Sequence, residues 1–89
     1  MSVTLRLFAA AREAAARASD EYDLAATPSV GALLDAAGSA YGPTFAAVLE
    51  TSRVWVNGDE PAAERATVLA ADDEVAVLPP VSGGAGAER

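Results

Sequence analysis

Eighty-nine residues make one small domain, and surface scaling at this size leaves about 60% of the unfolded surface buried on folding. The chain has no cysteine and no histidine, which excludes disulfides, thiolate or imidazole metal sites, and Cys-His or Ser-His nucleophiles. A formal charge of -7 disfavours nucleic acid and anionic membranes as partners. It suits either a partner with a basic docking surface or a generally acidic cytosolic protein. All six basic residues are arginine. No apolar run approaches the roughly 18 residues of a membrane span, and the N-terminus carries no signal-peptide core, so a cytoplasmic protein is expected. On inventory it is not an enzyme by itself.

Val3-Thr4-Leu5-Arg6-Leu7 alternates apolar and polar residues, which predicts a strand with Val3, Leu5 and Leu7 inward. Phe8 breaks that phase. It belongs to the face of Thr4 and Arg6, either exposed or covered by the segment that follows. Ala9 to Ser19 is helix-prone but alanine-rich, so it buries little and reads as a short helix. Glu21 to Ala26 reads weakly as a second strand, with Tyr22 and Leu24 on one side. The connection is too short for a full crossover helix, so the two strands should pair antiparallel.

Thr27-Pro28 has the form of a helix start, a capping side chain followed by proline at the first helical position. Val30, Leu33, Leu34, Ala37 and Tyr41 then make one apolar stripe at helical spacing. Gly42 stops this main helix, with Pro43 just beyond, and Phe45, Val48 and Leu49 suggest one more short helical turn. Arg53 to Val56 is a third strand, with Val54 and Val56 on one face and Trp55 on the other. Asn57-Gly58 is a tight-turn signal. Glu60 to Thr67 is loop or a short edge strand, Val68 and Leu69 return to the core, and Ala71-Asp72-Asp73 is a polar turn.

Glu74 to Leu78 alternates as a last strand. Pro79 and Pro80 cannot donate ladder hydrogen bonds, so the chain leaves the sheet extended. Gly83 and Gly84 have no side chain and accept almost any backbone angle, which suits threading into a narrow site on another protein. One amphipathic helix on one face of a mixed sheet of four to five strands is the simplest way to bury these elements. With the first and last strands parallel in the middle, the fold is α+β, of the β-grasp arrangement. Residues 1–81 form that domain, and residues 82–89 form a flexible tail carrying Gly83-Gly84 and a short extension.

The topology also predicts a docking surface. If the first and last strands are parallel neighbours, Phe8 and Leu78 form one exposed apolar spot at the root of the tail, a candidate hot spot. Trp55 either extends that patch or is buried under the Ala9–Ser19 segment. Asp72, Asp73 and Glu74 would supply a polar rim, or are merely a solvated turn.

Phe8-Ala9, Arg12-Glu13, Val56-Asn57, Asp73-Glu74-Val75-Ala76 and Leu78-Pro79-Pro80-Val81-Ser82-Gly83-Gly84 together resemble the small subunit of molybdopterin synthase, a ubiquitin-like sulfur carrier. The resemblance spans Val3 to Gly84. It implies that a partner adenylating enzyme of the E1 type uses ATP to activate the Gly84 carboxylate, and that sulfur replaces AMP to leave a thiocarboxylate. It implies a large catalytic subunit, or another sulfur acceptor enzyme, that takes in Val81, Ser82, Gly83 and Gly84, while Phe8, Leu78, Trp55, Pro79 and Pro80 dock. No cofactor is bound permanently.

The sequence departs from that pattern after Gly84. Ala85-Gly86-Ala87-Glu88-Arg89 follows, and an amide cannot be adenylated in place of a free carboxylate. A protease is expected to trim the extension; otherwise the chain is a ubiquitin-like binding module and never a sulfur donor. The terminal run points to molybdopterin, with cysteine or another sulfur-containing metabolite as the alternative destination.

Overall fold

The computed structural model describes residues 1–80. Strand β1 (Ser2–Leu7) is followed by helix α1 (Ala9–Ala15), strand β2 (Ser19–Asp23), helices α2 (Val30–Tyr41) and α3 (Pro43–Glu50), strand β3 (Arg53–Val56), a 3₁₀ turn (Glu64–Ala66) and strand β4 (Glu74–Leu78). The sheet order is β2-β1-β4-β3. β1 pairs antiparallel with β2 and parallel with β4, and β3 pairs antiparallel with β4. This is the expected mixed sheet with its first and last strands side by side in the middle. Four strands are present among the described residues.

Alternation decides which face is covered. Val3, Leu5, Leu7, Val75 and Val77 are buried and share one core with Ala11, Ala15, Val30, Leu33, Leu34, Ala37 and Phe45. The main helix and two shorter ones therefore cover that face. α3 is longer than the single turn expected, because Pro43 starts it at a position that needs no amide donor and Phe45 is fully buried beneath it. Gly42, at φ 98°, separates α2 from α3 and uses a region of backbone space that a Cβ disfavours.

Several boundaries move for local reasons. α1 stops at Ala15, short of Ser19, because Ala16 adopts a left-handed conformation (φ 60°) and Arg17 N–H returns to the Arg12 carbonyl. β2 is shifted N-terminally from the expected Glu21–Ala26, since Ala26 and Thr27 N–H both turn back to the Asp23 carbonyl. α2 begins at Val30, and its cap is Ser29, whose Oγ accepts from Ala32 N–H at 3.1 Å. Thr27, expected as the cap, is buried and donates its hydroxyl to the Asp23 carbonyl instead. Glu60 to Thr67 is loop rather than strand, with the 3₁₀ turn Glu64–Ala66 inside it. Val68 does not join the core: it is 79% exposed while Leu69 is buried. Its backbone makes an isolated bridge with Ser29, leaving the side chain outside. Asn57 and Gly58 both have positive φ, the requirement of a two-residue turn of type I′.

Candidate functional site

The site is built by strand register on the sheet face that carries no helix. Leu7 pairs with Val77 and Phe8 N–H donates to the Val77 carbonyl at 3.3 Å, so Phe8 and Leu78 are the next positions along. Across β4, Leu78 pairs with Arg53, and Ala76 pairs with both Trp55 and Arg6. Side chains alternate between faces, so these residues all lie opposite the buried Val75 and Val77. They form two rows on the outer face: Arg6–Ala76–Trp55, and Phe8–Leu78–Arg53. Phe8 is exposed, and Leu78 and Trp55 are half-buried.

Trp55 thus extends the patch. α1 is packed on the other face through Ala11 and Ala15, so it cannot cover this side chain. Pro79 is half-buried and Pro80 exposed, directly beyond Leu78 at the root of the tail. Val81, Ser82, Gly83 and Gly84, the residues expected to thread and to carry sulfur, lie outside the described residues.

Of the two expectations for Asp72 and Asp73, polar rim or solvated turn, the turn is the one observed. Asp72 and Asp73 precede β4 (Glu74–Leu78), and Asp73 lies five residues from Leu78, about 16 Å along an extended chain at about 3.3 Å per residue. Asp73 is occupied as a turn lock, accepting from Asn57 Nδ2 at 2.9 Å and from Ala70 N–H at 2.8 Å. Asn57 Oδ1 in turn accepts from Glu74 N–H at 2.9 Å. The charges bordering the apolar spot are instead guanidiniums. Arg6 lies over the Phe8 ring at 5.7 Å from its centroid, within cation–π range, and pairs with Glu74 at 3.1 Å. Arg53 is cross-strand to Leu78. Neither arginine is distinguished in the sequence; only the pairing register brings them beside Phe8 and Leu78.

The titrating groups that depart from ordinary behaviour are on the covered face. Asp20 pairs with Leu5, and Tyr22 with Val3. The Tyr41 hydroxyl donates to Asp20 Oδ2 at 2.6 Å and accepts from the Tyr22 hydroxyl at 3.0 Å. The Tyr41 hydrogen bond, helped by Arg17 at 2.8 Å, holds the Asp20 carboxyl below its usual range. Burial, and then the Asp20 carboxylate, push the Tyr41 phenol well up. This cluster ties β2 to the end of α2 and is remote in topology from the tail. Among the described residues no group of three or more acidic side chains is placed to hold a metal ion, and no helix is long and apolar enough to cross a membrane.

Comparison with known proteins places this geometry. The ThiS family model matches residues 5–84, taking in Gly83-Gly84 and ending before Ala85. The crystal structure of SAMP1 from Haloferax volcanii superposes with a TM-score of 0.79 at 33% identity, covering 94% of this chain and 100% of that one. Small archaeal modifier protein 1 from Methanosarcina acetivorans gives 0.80 at 26% identity, over 93% and 96% of the two chains. A Pyrococcus furiosus protein described as molybdopterin converting factor, subunit 1, gives 0.73 at 20% identity over 91% and 99%, a likeness of fold. No curated protein matches the chain. With a family match over nearly its whole length and this sheet order, the chain belongs to the ThiS family, the ubiquitin-like sulfur carriers of the ThiS and MoaD type.

Proposed function

We propose that this protein carries sulfur as a thiocarboxylate on Gly84. The observation that supports the reading most is positional: the exposed Phe8–Leu78–Trp55 patch surrounds the end of the central strand that leads into the glycine tail, and the family match runs to residue 84. A partner holding the patch has the reacting end within a few residues of its own catalytic groups, and fixing a reactant in this way removes much of the entropic part of the barrier. The small domain is then a handle and not a catalyst.

The chemistry has three steps. Hydrolysis of the Gly84–Ala85 amide by a trimming protease frees the carboxylate. An E1-like enzyme attacks the α-phosphorus of ATP with that carboxylate, forming an acyl-adenylate and releasing pyrophosphate. A sulfide equivalent then adds to the acyl carbon and expels AMP, leaving the C-terminal thiocarboxylate. Molybdopterin synthesis, with the large subunit of molybdopterin synthase as acceptor, is the destination we favour; cysteine or another sulfur metabolite is the alternative.

The likeness to proteins named as small archaeal modifiers supports a second use of the same adenylate. A lysine amine of another protein could displace AMP and form an isopeptide bond. Intact mass of the protein from its native host separates the readings. Loss of Ala85–Arg89 with one oxygen exchanged for sulfur is the expected result. A tail-trimmed chain joined to other polypeptides points to the modifier. A chain found only uncut rejects both in favour of a ubiquitin-like binding module.

A further inference from the structure

β3 forms one edge of the sheet, and its open side has a single unused position. Asn57 N–H donates to the Glu74 carbonyl at 2.8 Å. With Trp55 opposite Ala76 and Arg53 opposite Leu78, this assigns the odd-numbered residues of β3 to the hydrogen-bonded pairs with β4. The N–H and C=O of Val54 and Val56 therefore point away from the sheet. Those of Val56 are closed by Asp59, at 2.7 and 3.0 Å. Among the described residues nothing closes those of Val54.

Val54 opens onto a groove of about 400 Å³ that is also lined by Val30, Leu34, Pro61, Glu64 and Arg65. Leu34 and Arg65 continue into a second hollow of about 520 Å³ bordered by Asp35 and Glu50. The arginines along this border are committed, Arg65 to Asp35 at 2.7 Å and Arg53 to Glu60 at 3.9 Å. Glu50 and Glu64 have no ion pair among the described residues, so the border keeps a negative surplus.

We propose that this edge binds an extended basic peptide segment of a partner protein. The segment adds as an outer strand through the N–H and C=O of Val54, seats an apolar side chain in the groove, and places a lysine or arginine beside Glu64. Strand addition of this kind draws affinity from main-chain bonds and selectivity from alternate side chains. The charge border selects against a second copy of this chain, which would bring another -7. The surface is separate from the Phe8–Leu78 spot apart from Arg53 and Trp55, which border both. A tail-processing enzyme and a strand-adding partner could therefore be held together. The proposal does not rest on the sulfur-carrier reading.

The test is a titration of the ¹⁵N-labelled full chain with acetyl-Arg-Val-Arg-Val-Arg-amide and with its acidic counterpart, acetyl-Glu-Val-Glu-Val-Glu-amide. The basic peptide should give saturable amide shifts at Ser52 to Val56 and Ala62 to Arg65 and slow hydrogen exchange at Val54; the acidic one should give neither. Val54→Pro removes the donor at an edge position where proline is tolerated and should weaken binding about tenfold. Should that variant misfold, Glu50→Arg with Glu64→Arg leaves the strand intact and should abolish the preference for the basic peptide. Equal binding of both peptides, shifts confined to the Phe8 face, or no loss in these variants overturns the proposal. So does a Val54 amide already protected without peptide: concentration dependence would then identify a second copy, and its absence the chain's own residues.

Discussion

Phe8 sits one residue past the end of β1, and that placement puts its ring on the outer face of the sheet beside Leu78. Its ring is exposed and lies under the Arg6 guanidinium, so removing it forfeits little packing. Phe8→Asp should change stability by less than about 0.5 kcal/mol and cost about 2 kcal/mol of affinity for an adenylating partner, the size of an interface hot spot. Denaturant melts and calorimetry check the two halves; a large stability loss would instead make Phe8 a core residue. The broken phase of Phe8 could be read directly from the chain. The Arg6 and Arg53 rim could not, because which residues face each other across three strands is a property of register. Val68 misled for a related reason: an apolar side chain beside a core leucine gives no sign that only its backbone is used.

α2 shows what an element's pattern does and does not contain. Its apolar stripe predicts the buried face from Val30 to Ala37, and Gly42 its end, since both follow from helical spacing and backbone freedom alone. Its start does not follow, because Thr27 and Ser29 are both good caps and the turn from β2 claims Thr27 first. Gly31 adds a tertiary constraint invisible to spacing. A Cβ there would meet the Arg65 carbonyl oxygen at 3.0 Å and Arg65 Cβ at 3.3 Å. Gly31→Ala gains up to about 1 kcal/mol of helix propensity, but pressing on backbone costs about 1–3 kcal/mol. The variant should lose about 1 kcal/mol overall, measured by urea denaturation; a gain would show that the 3₁₀ turn yields easily.

At the scale of the molecule, the strand order was legible because a short first connection forces a hairpin and the last alternating run has to lie beside the first. The three-helix cover was less so, since α1 is alanine-rich and α3 is only eight residues long, and both leave weak patterns. The Asp20–Tyr41–Arg17 cluster, which joins β2 to α2, was not legible at all. It links stability to pH with a definite sign. Folding lowers the Asp20 pKa from 3.8, so the contribution is complete above that value and is lost as pH falls through the lowered one. Half-exposed partners limit it to about 1 kcal/mol. Asp20→Asn should be less stable at neutral pH, and the gap to the parent should close on acidification from about pH 5 to pH 2. Parallel curves from denaturant titrations would remove the pair from the acid response.

The parallel pairing of β1 with β4 has a mechanical consequence. Their outward ends, Ser2 and Leu78, lie at opposite edges of the ladder, so a machine pulling on the C-terminal segment against an anchored N-terminus would load the Thr4–Glu74 to Leu7–Val77 contacts in shear. Those contacts would have to rupture together instead of peeling one by one. Tension applied at the C-terminal end would therefore meet its stiffest resistance at the centre of the sheet.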